Sequence, residues 1–281
     1  MITMTRRLGF SAAHSDWLEA LSLEENRDLF GPDARPEPYG HNYSLDVAVS
    51  GEIEPSTGML VNIKDIDRIV RERVISRLDR KYLNRDVADL RERPVTPENL
   101  TQLIARWLAP YLPPEVRLTS ITLEPEPLRR VELQLPFEES PRMQVTHVYE
   151  FSASHRLHSQ VLTEEQNIDL FGKCNNANGH GHNYVLEVTV QGPIDARTGR
   201  VVDPDALDAA VNREVVDRYD HRHLNEDIPE FSDLIPSAEW ITRVIWDRLK
   251  DHIPSPARLA RVHLKETARN LFEYRGEDDP L

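Results

Sequence analysis

The chain carries one cysteine, Cys174, in 281 residues. An intrachain disulfide is therefore excluded, and with it a small fold held together by covalent bridges. A single free thiol fits a reducing compartment, so a cytoplasmic location is expected. Long apolar runs are missing as well: none approaches the ~20 residues a membrane-spanning helix needs. The N-terminal Met-Ile-Thr-Met-Thr-Arg-Arg has no signal-peptide pattern. There is no excess of cations. Lys and Arg number 34 against 48 Asp and Glu, a formal net charge of −14. That balance argues against nucleic acid or an anionic membrane as partner. A polyphosphate ligand would need a local cationic cluster instead. With 39% hydrophobic and 29% charged residues, the chain reads as soluble and globular. Its length suffices for two ordinary domains.

An internal repeat is present at an offset of 141 residues, without gaps. Phe10-Ser-Ala-Ala-His14 matches Phe151-Ser-Ala-Ser-His155. Asp28-Leu-Phe-Gly31 matches Asp169-Leu-Phe-Gly172, and Gly40-His-Asn-Tyr43 matches Gly181-His-Asn-Tyr184. Thr57-Gly58, Asp79, Leu83-Asn84 and Glu98 match Thr198-Gly199, Asp220, Leu224-Asn225 and Glu239. A period this long implies two complete domains, residues 1–138 and 143–281, joined by Pro136-Phe-Glu-Glu-Ser-Pro141.

Each repeat reads alike. A strand ends at the Phe-Ser-Ala motif (residues 8–12; 145–153), and a long loop with an acidic helical turn around Glu24 or Glu165 follows. The second strand alternates apolar and polar residues, as in Tyr43-Ser-Leu-Asp-Val-Ala-Val49 and Tyr184-Val-Leu-Glu-Val-Thr-Val190. Helices are expected over residues 65–78 and 97–111, and over 204–219 and 238–252. Thr96 and Ser237 are placed as N-caps. Two short strands close each domain: residues 117–123 and 130–135, then 258–264 and 271–274. The order ββααββ predicts an antiparallel sheet with two helices on one face, an α+β fold.

The chemistry concentrates between Phe171 and Tyr184. Side chains two apart on a strand share a face, so His180 and His182 can aim two imidazoles at one point. His155, at the end of the preceding strand, is the third. Three histidines with no fourth protein ligand is the pattern of a catalytic zinc, whose open position takes water or substrate. Cys174 sits in a polar Asn- and Gly-rich loop beside Lys173, a setting that favours thiolate and suits a general base. Asp220-His221 follows a helix end. It reads either as a histidine favoured by the helix dipole or as an acid–base pair.

The run from Phe151 to Ser159, the stretch from Leu170 to Tyr184, Asp220-His221 and Glu266 together resemble the 6-pyruvoyl-tetrahydropterin synthase superfamily over residues 144–276. The resemblance implies two tandem T-fold domains, which assemble through their sheets into closed barrels. It implies a lyase, carbon–oxygen and acting on phosphates, that converts 7,8-dihydroneopterin triphosphate to 6-pyruvoyl-tetrahydropterin with loss of triphosphate. His155, His180 and His182 would hold zinc. Cys174, Asp220 and His221 would be catalytic. Glu266 would anchor the pterin, with Ser237 and Glu239 as further pterin-pocket positions. Magnesium on the triphosphate is a further implication. Lys173, Arg156 and Arg222 are phosphate candidates by proximity in sequence. Two alternatives stand: 6-carboxy-tetrahydropterin synthase of the queuosine pathway, and a non-catalytic pterin-binding scaffold.

The first repeat departs from the pattern. Asp33 stands at the Cys174 position, Tyr39 at His180, Arg80 at His221 and Pro125 at Glu266. A phenol ligates zinc poorly. This copy reads as degenerate and non-catalytic, so one zinc per chain is expected. The resemblance further implies a homotrimer of two-domain chains, a pseudo-hexamer with sites between neighbours. Rings that segregate the two repeats keep His221, not Arg80, beside Cys174, and the acid–base chemistry favours them.

Overall fold

The computed structural model describes residues 1–32, 34–135 and 142–276. Asp33 and the joint at residues 136–141 lie outside the described residues. The chain divides into two compact units: Met1–Val145 with Gly192–Val201, and Thr146–Gln191 with Val202–Leu281. By sequence, Gly192–Val201 is the turn of the second repeat. In space it belongs to the first unit.

In the first unit β1 (Ile2–His14) pairs antiparallel with β2 (Tyr39–Gly51) along its whole length. β2 pairs with β3 (Val116–Glu126), and β3 with β4 (Arg129–Gln134). The period of two decides the faces: Leu45, Val47 and Val49 are fully buried, while Ser44 and Asp46 on alternate positions are not. β1 runs further than its apolar residues suggest, because its outward charges find partners. Arg7 forks onto Asp46, and Arg6 binds Asp67. α1 (Leu23–Phe30) starts at a capping box of Ser22 and Glu25. α2 (Ile63–Val70) continues through a π-helical turn, Arg71–Ile75, into Ser76–Leu78. Ile66, Val70, Val74 and Leu78, four apart, form its fully buried stripe. α3 (Pro97–Leu108) packs on β3 and β4, with Thr96 as N-cap and Pro97 in the first turn.

The second unit repeats this order. β5 (Arg142–His155) lies beside β6 (His180–Gly192), β6 pairs with β8 (Arg258–Lys265), and β8 with β9 (Leu271–Tyr274). α4 (Glu164–Phe171) has a Thr163–Gln166 capping box. α5 (Pro204–Val211) passes through its own π turn, Asn212–Val216. α6 (Ala238–Leu249) is capped by Ser237 and packs on β8 and β9. Even the irregularities repeat: the register slips between Ala48 and Val49 and again between Thr189 and Val190. β7 (Arg222–His223), unmarked by any strand pattern, pairs parallel with Ala153 and Ser154 of β5. Each unit is thus an antiparallel sheet with helices, the α+β T-fold. No helix among the described residues is long and apolar enough to cross a membrane.

Candidate metal and catalytic site

Strand register brings the three histidines together. Thr146 Oγ1 lies 2.8 Å from Thr189 Oγ1, and Ser152 Oγ donates to Asn183 Oδ1 at 3.0 Å. Advancing six residues on β5 retreats six on β6, so the strands are antiparallel and His155 comes opposite His180. His182, two residues on, shares that face. Phe151 and Tyr184 stack alongside, with ring centres 5.0 Å apart.

The ligand nitrogens of His155, His180 and His182 all lie within 4.8 Å of one another. His155 Nε2 and His180 Nε2 are 3.2 Å apart. A tetrahedral zinc with Zn–N near 2.05 Å spaces its ligands by about 3.3 Å. His155 Nδ1 donates to the Pro236 carbonyl at 2.6 Å, which leaves the Nε2 lone pair facing the cluster. His182 Nε2 is buried and has no hydrogen-bond partner among the described residues. Burial holds His155 down at about 4, its hydrogen bond to Pro236 opposing, and burial followed by the neighbouring His182 lowers His180. Neutral imidazoles at physiological pH are what a metal ion requires. Orphaned nitrogens, fixed tautomer and donor set all fit zinc.

Glu266 Oε1 lies 3.8 Å from His182 Nε2 and 3.9 Å from His155 Nε2, and Oε2 accepts from Asn270 Nδ2 at 3.1 Å. The strand end is therefore not simply solvated. Its carboxylate, 12% exposed, looks onto the histidine cluster.

Asp220 and His221 form a pair on the edge of β5. Asp220 Oδ1 accepts from Ser152 N at 2.8 Å, and His221 N donates to Ser152 O at 2.6 Å. Asp220 Oδ2 takes the Nδ1 proton of His221 at 2.8 Å, which leaves His221 Nε2 free. The backbone bond to Ser152 and then the His221 contact hold the Asp220 carboxyl below its usual range. His221 has φ +58, a left-handed conformation that costs roughly 1–3 kcal/mol and persists only when neighbours impose it. Arg80, its counterpart, has φ +57 and the same clamp: Ser11 N donates to Asp79, and Arg80 N to Ser11 O. Asp79 therefore has a backbone role independent of chemistry. The His221 side chain is 84% exposed. A concavity of about 660 Å³ takes in Ser152, Gly181, His182, His221 and Arg222. Cys174, Ser237, Glu239 and Glu266 are not among its lining residues.

Cys174 is half-buried in a single 3-10 turn, Gly172–Asn175. Leu157 N donates to the Cys174 carbonyl, and Arg156 donates to both the carbonyl and the side chain of Asn175. Arg156 is thus a tether for the Cys174 turn, in addition to its reading as a phosphate contact. Asn175, buried and also within 3.0 Å of His158 Nδ1, is a positioning residue that the sequence did not single out. Lys173 and Arg222 are exposed. Ser237 accepts from Trp240 N as helix cap, while Glu239 is exposed beside a groove lined by Trp240, Phe272 and Tyr274.

In the first unit His14, Tyr39 and His41 occupy the corresponding face, with the His14 and His41 rings 5.3 Å apart. Tyr39 donates its phenol proton to Asp16 at 2.7 Å, and burial followed by that bond raises its pKa far above the usual phenol. A phenolate ligand is disfavoured there. Among the described residues, the second-unit histidines are the one set of three metal-ligating groups gathered in this way.

A family model described as 6-pyruvoyl tetrahydropterin synthase matches twice, over residues 3–134 and 144–277. The chain belongs to that family, as a tandem copy. It is 43% identical over 134 residues to the 6-pyruvoyl tetrahydrobiopterin synthase of Homo sapiens, covering 48% of this chain and 92% of the relative. The 6-carboxy-5,6,7,8-tetrahydropterin synthase of Aquifex aeolicus is 26% identical over 164 residues, covering 48% of this chain and 99% of that one. The structure of Caenorhabditis elegans 6-pyruvoyl tetrahydropterin synthase aligns with a TM-score of 0.47 at 39% identity, covering 49% of this chain and 97% of that one.

The buried histidines set a pH dependence. Burial holds both His155 and His14 at about 4, below the ordinary 6.5. Between those values the unfolded chain binds more protons, so stability falls as pH drops through the window, by up to about 1.4 kcal/mol per pH unit for each group. Urea midpoints of metal-free protein should stay level above pH 7 and fall steadily below 6.5. His155→Gln should flatten the acid limb; an unchanged slope would show that His155 does not titrate in this way.

Proposed function

We propose that the second unit is the catalytic half of a zinc-dependent pterin synthase. The reaction takes 7,8-dihydroneopterin triphosphate to 6-pyruvoyl-tetrahydropterin and inorganic triphosphate, which makes the protein a carbon–oxygen lyase. The observation that supports this most is the His155–His180–His182 cluster beside the Glu266 carboxylate. Those histidines would hold zinc, which supplies Lewis-acid chemistry that acidifies protons on carbons next to a coordinated oxygen.

The chain's own groups do the rest. Glu266 can accept paired hydrogen bonds from the amino group and ring N–H of a pterin. A ring held there lies beside the histidine cluster, so its side chain reaches the ligand nitrogens. Ser237 and Glu239 serve as further pterin contacts. Cys174 takes the carbon-bound proton. Asp220 keeps the His221 Nδ1 proton turned inward, so Nε2 accepts and returns protons during tautomerisation and triphosphate loss. The exposure of His221 suits a group that completes its site in an assembly of chains, a homotrimer of two-domain chains. Lys173 and Arg222 can meet the triphosphate, whose remaining charge magnesium would offset. The first unit, with Tyr39 bound to Asp16, is a non-catalytic copy. A cytoplasmic location belongs to this proposal, and the free thiol of Cys174 is compatible with it.

Elemental analysis should give about one zinc per chain. A value near two would mean that the first unit has built a site of its own.

Cys174→Ala should keep the zinc and lose turnover by roughly 100-fold or more. His182→Ala should lose both. Loss of zinc from Cys174→Ala would make the thiol a ligand and remove it as the base. Mass spectrometry of the product decides the reaction. A pyruvoyl pterin with free triphosphate supports this reading. A carboxy pterin with acetaldehyde would assign the activity named for the Aquifex relative. No triphosphate release by metal-replete protein would leave a pterin-binding scaffold.

A further inference from the structure

The loop from Cys174 to Gly179 joins two candidate site residues, the thiol and the first histidine of β6. Its front is fastened. Leu157 N donates to the Cys174 carbonyl at 2.9 Å, and the Arg156 guanidinium holds the Asn175 side chain. Its rear closes as a turn in which Gly179 N donates to Asn176 O at 2.8 Å. Gly179 stands at φ +70, next to His180, in a slot with no room for a side chain. A Cβ there would fall 2.7 Å from His223 Nε2 and 2.9 Å from the His155 carbonyl oxygen. One wall of the slot is thus the backbone of His155. The other is an imidazole outside the proposed chemistry.

His223 reaches that place through β7. It pairs with Ser154, one residue before His155, and its backbone N–H donates to Asp227 Oδ2 at 2.8 Å. Neither ring nitrogen has a hydrogen-bond partner among the described residues, and Nδ1 is buried. What the ring supplies is therefore shape: it fills the space against which Gly179 turns.

The first unit has the same brace in different residues. Tyr82 stands at the His223 position and Pro38 at the Gly179 position. Tyr82 bridges to Ala13 as His223 does to Ser154, and its backbone N–H donates to Asp86 Oδ2 at 2.9 Å. Its longer side chain meets Ser15 Oγ at 2.8 Å and donates to the Pro36 carbonyl at 3.4 Å, on the segment ahead of β2. A proline, locked at negative φ, cannot make the turn that Gly179 makes. Glycine turn and imidazole are exchanged together. In both units this position braces the segment that delivers the next strand, and only in the second does that strand open on a histidine.

We infer that His223 is a positioning residue. Packed against Gly179, it sets where β6 starts, aims His180 at His155 and His182, and holds the turn that carries Cys174. Its consequence for a bound metal rests on the zinc reading above; the contact itself does not. A ligand role is not what the geometry gives, since the gathered metal-ligating set is His155, His180 and His182 without His223. The reach of the side chain is what the brace needs. Nε2 is at the far side of the ring. Glutamine carries an amide to a similar reach, whereas alanine leaves one side of the slot open.

Two measurements on the full-length chain test this. In hydrogen exchange of metal-free protein, His223→Ala should speed exchange at the Gly179 and Leu157 amides by roughly tenfold or more, with the β8 amides unchanged. His223→Gln should restore most of the protection. Equal protection in wild type and His223→Ala overturns the inference. So does a loss spread over the whole unit, which is general destabilisation. Zinc affinity, read by chelator competition, should fall roughly 10- to 100-fold in His223→Ala and recover in His223→Gln. Zinc held as tightly by His223→Ala as by wild type would mean that His180 is aimed without the brace, and the inference fails. Wild-type protein that takes up no zinc would sink the metal reading instead, and amide exchange then decides the contact alone.

Discussion

His155 faces His180 because Thr146 faces Thr189 and Ser152 faces Asn183. A one-residue slip between β5 and β6 would turn His180 and His182 to the other side of the sheet, away from His155. Register is therefore the constraint on which the candidate metal centre rests. It is enforced from both faces. Fully buried Leu186 and Val188 pin one, and hydroxyl and amide pairs lock the other. Pro236 then fixes the first ligand from outside the strands, through a carbonyl that points at His155 Nδ1. The β5–β6 pairing and the Pro236 carbonyl aim the three imidazoles at one point. Packing of this kind is what holds a three-histidine cluster in a geometry suited to a metal ion.

The second fixed point is Ser152. Its N–H and C=O both engage Asp220-His221, and that double contact holds a non-glycine residue at positive φ. The same geometry at Ser11, Asp79 and Arg80 shows that the clamp survives when the imidazole is replaced by a guanidinium. One carboxylate oxygen serves the backbone and the other serves the side chain. Asp220 is thus a structural residue recruited to orient a histidine, and retention of Asp79 is no sign of residual catalysis in the first unit.

Much of this was legible in the chain itself. The 141-residue repeat, the alternating strands, the N-caps at Thr96 and Ser237 and the convergence of three histidines follow from local patterning, which sequence carries directly. Strand ends were less legible. β1 extends through Thr3, Arg6 and Arg7 because cross-strand and helix partners neutralise the outward charges, and those partners are distant in sequence. The tether from Arg156 to Asn175 and the approach of Glu266 to the cluster were hidden for the same reason. Each joins segments whose proximity is set by tertiary packing alone. The placement of Gly192–Val201 with the first unit was the least accessible feature, since gapless sequence symmetry assigns it to the second.

That last segment bears on how Glu98 and Glu239 are to be understood. The first unit has no counterpart of Glu266, since Pro125 stands there, and its Tyr39 is committed to Asp16. A glutamate kept only to bind substrate would have nothing left to do at position 98. Yet Glu98 is buried and accepts a backbone N–H of a docked turn. Leaving that carboxylate buried without its partner would carry a desolvation penalty of about 1–3 kcal/mol or more. The residue is thus maintained by packing whether or not the unit performs chemistry. The same reasoning applies to Glu239. A carboxylate has two oxygens and about four lone-pair positions, so one oxygen can take a backbone N–H while the other meets a ligand. Substrate contact, as proposed for Glu239, and a backbone hydrogen bond of the kind Glu98 accepts are then compatible demands on one side chain. In the first unit, where Tyr39, Arg80 and Pro125 stand at the positions of His180, His221 and Glu266, the packing demand alone accounts for Glu98.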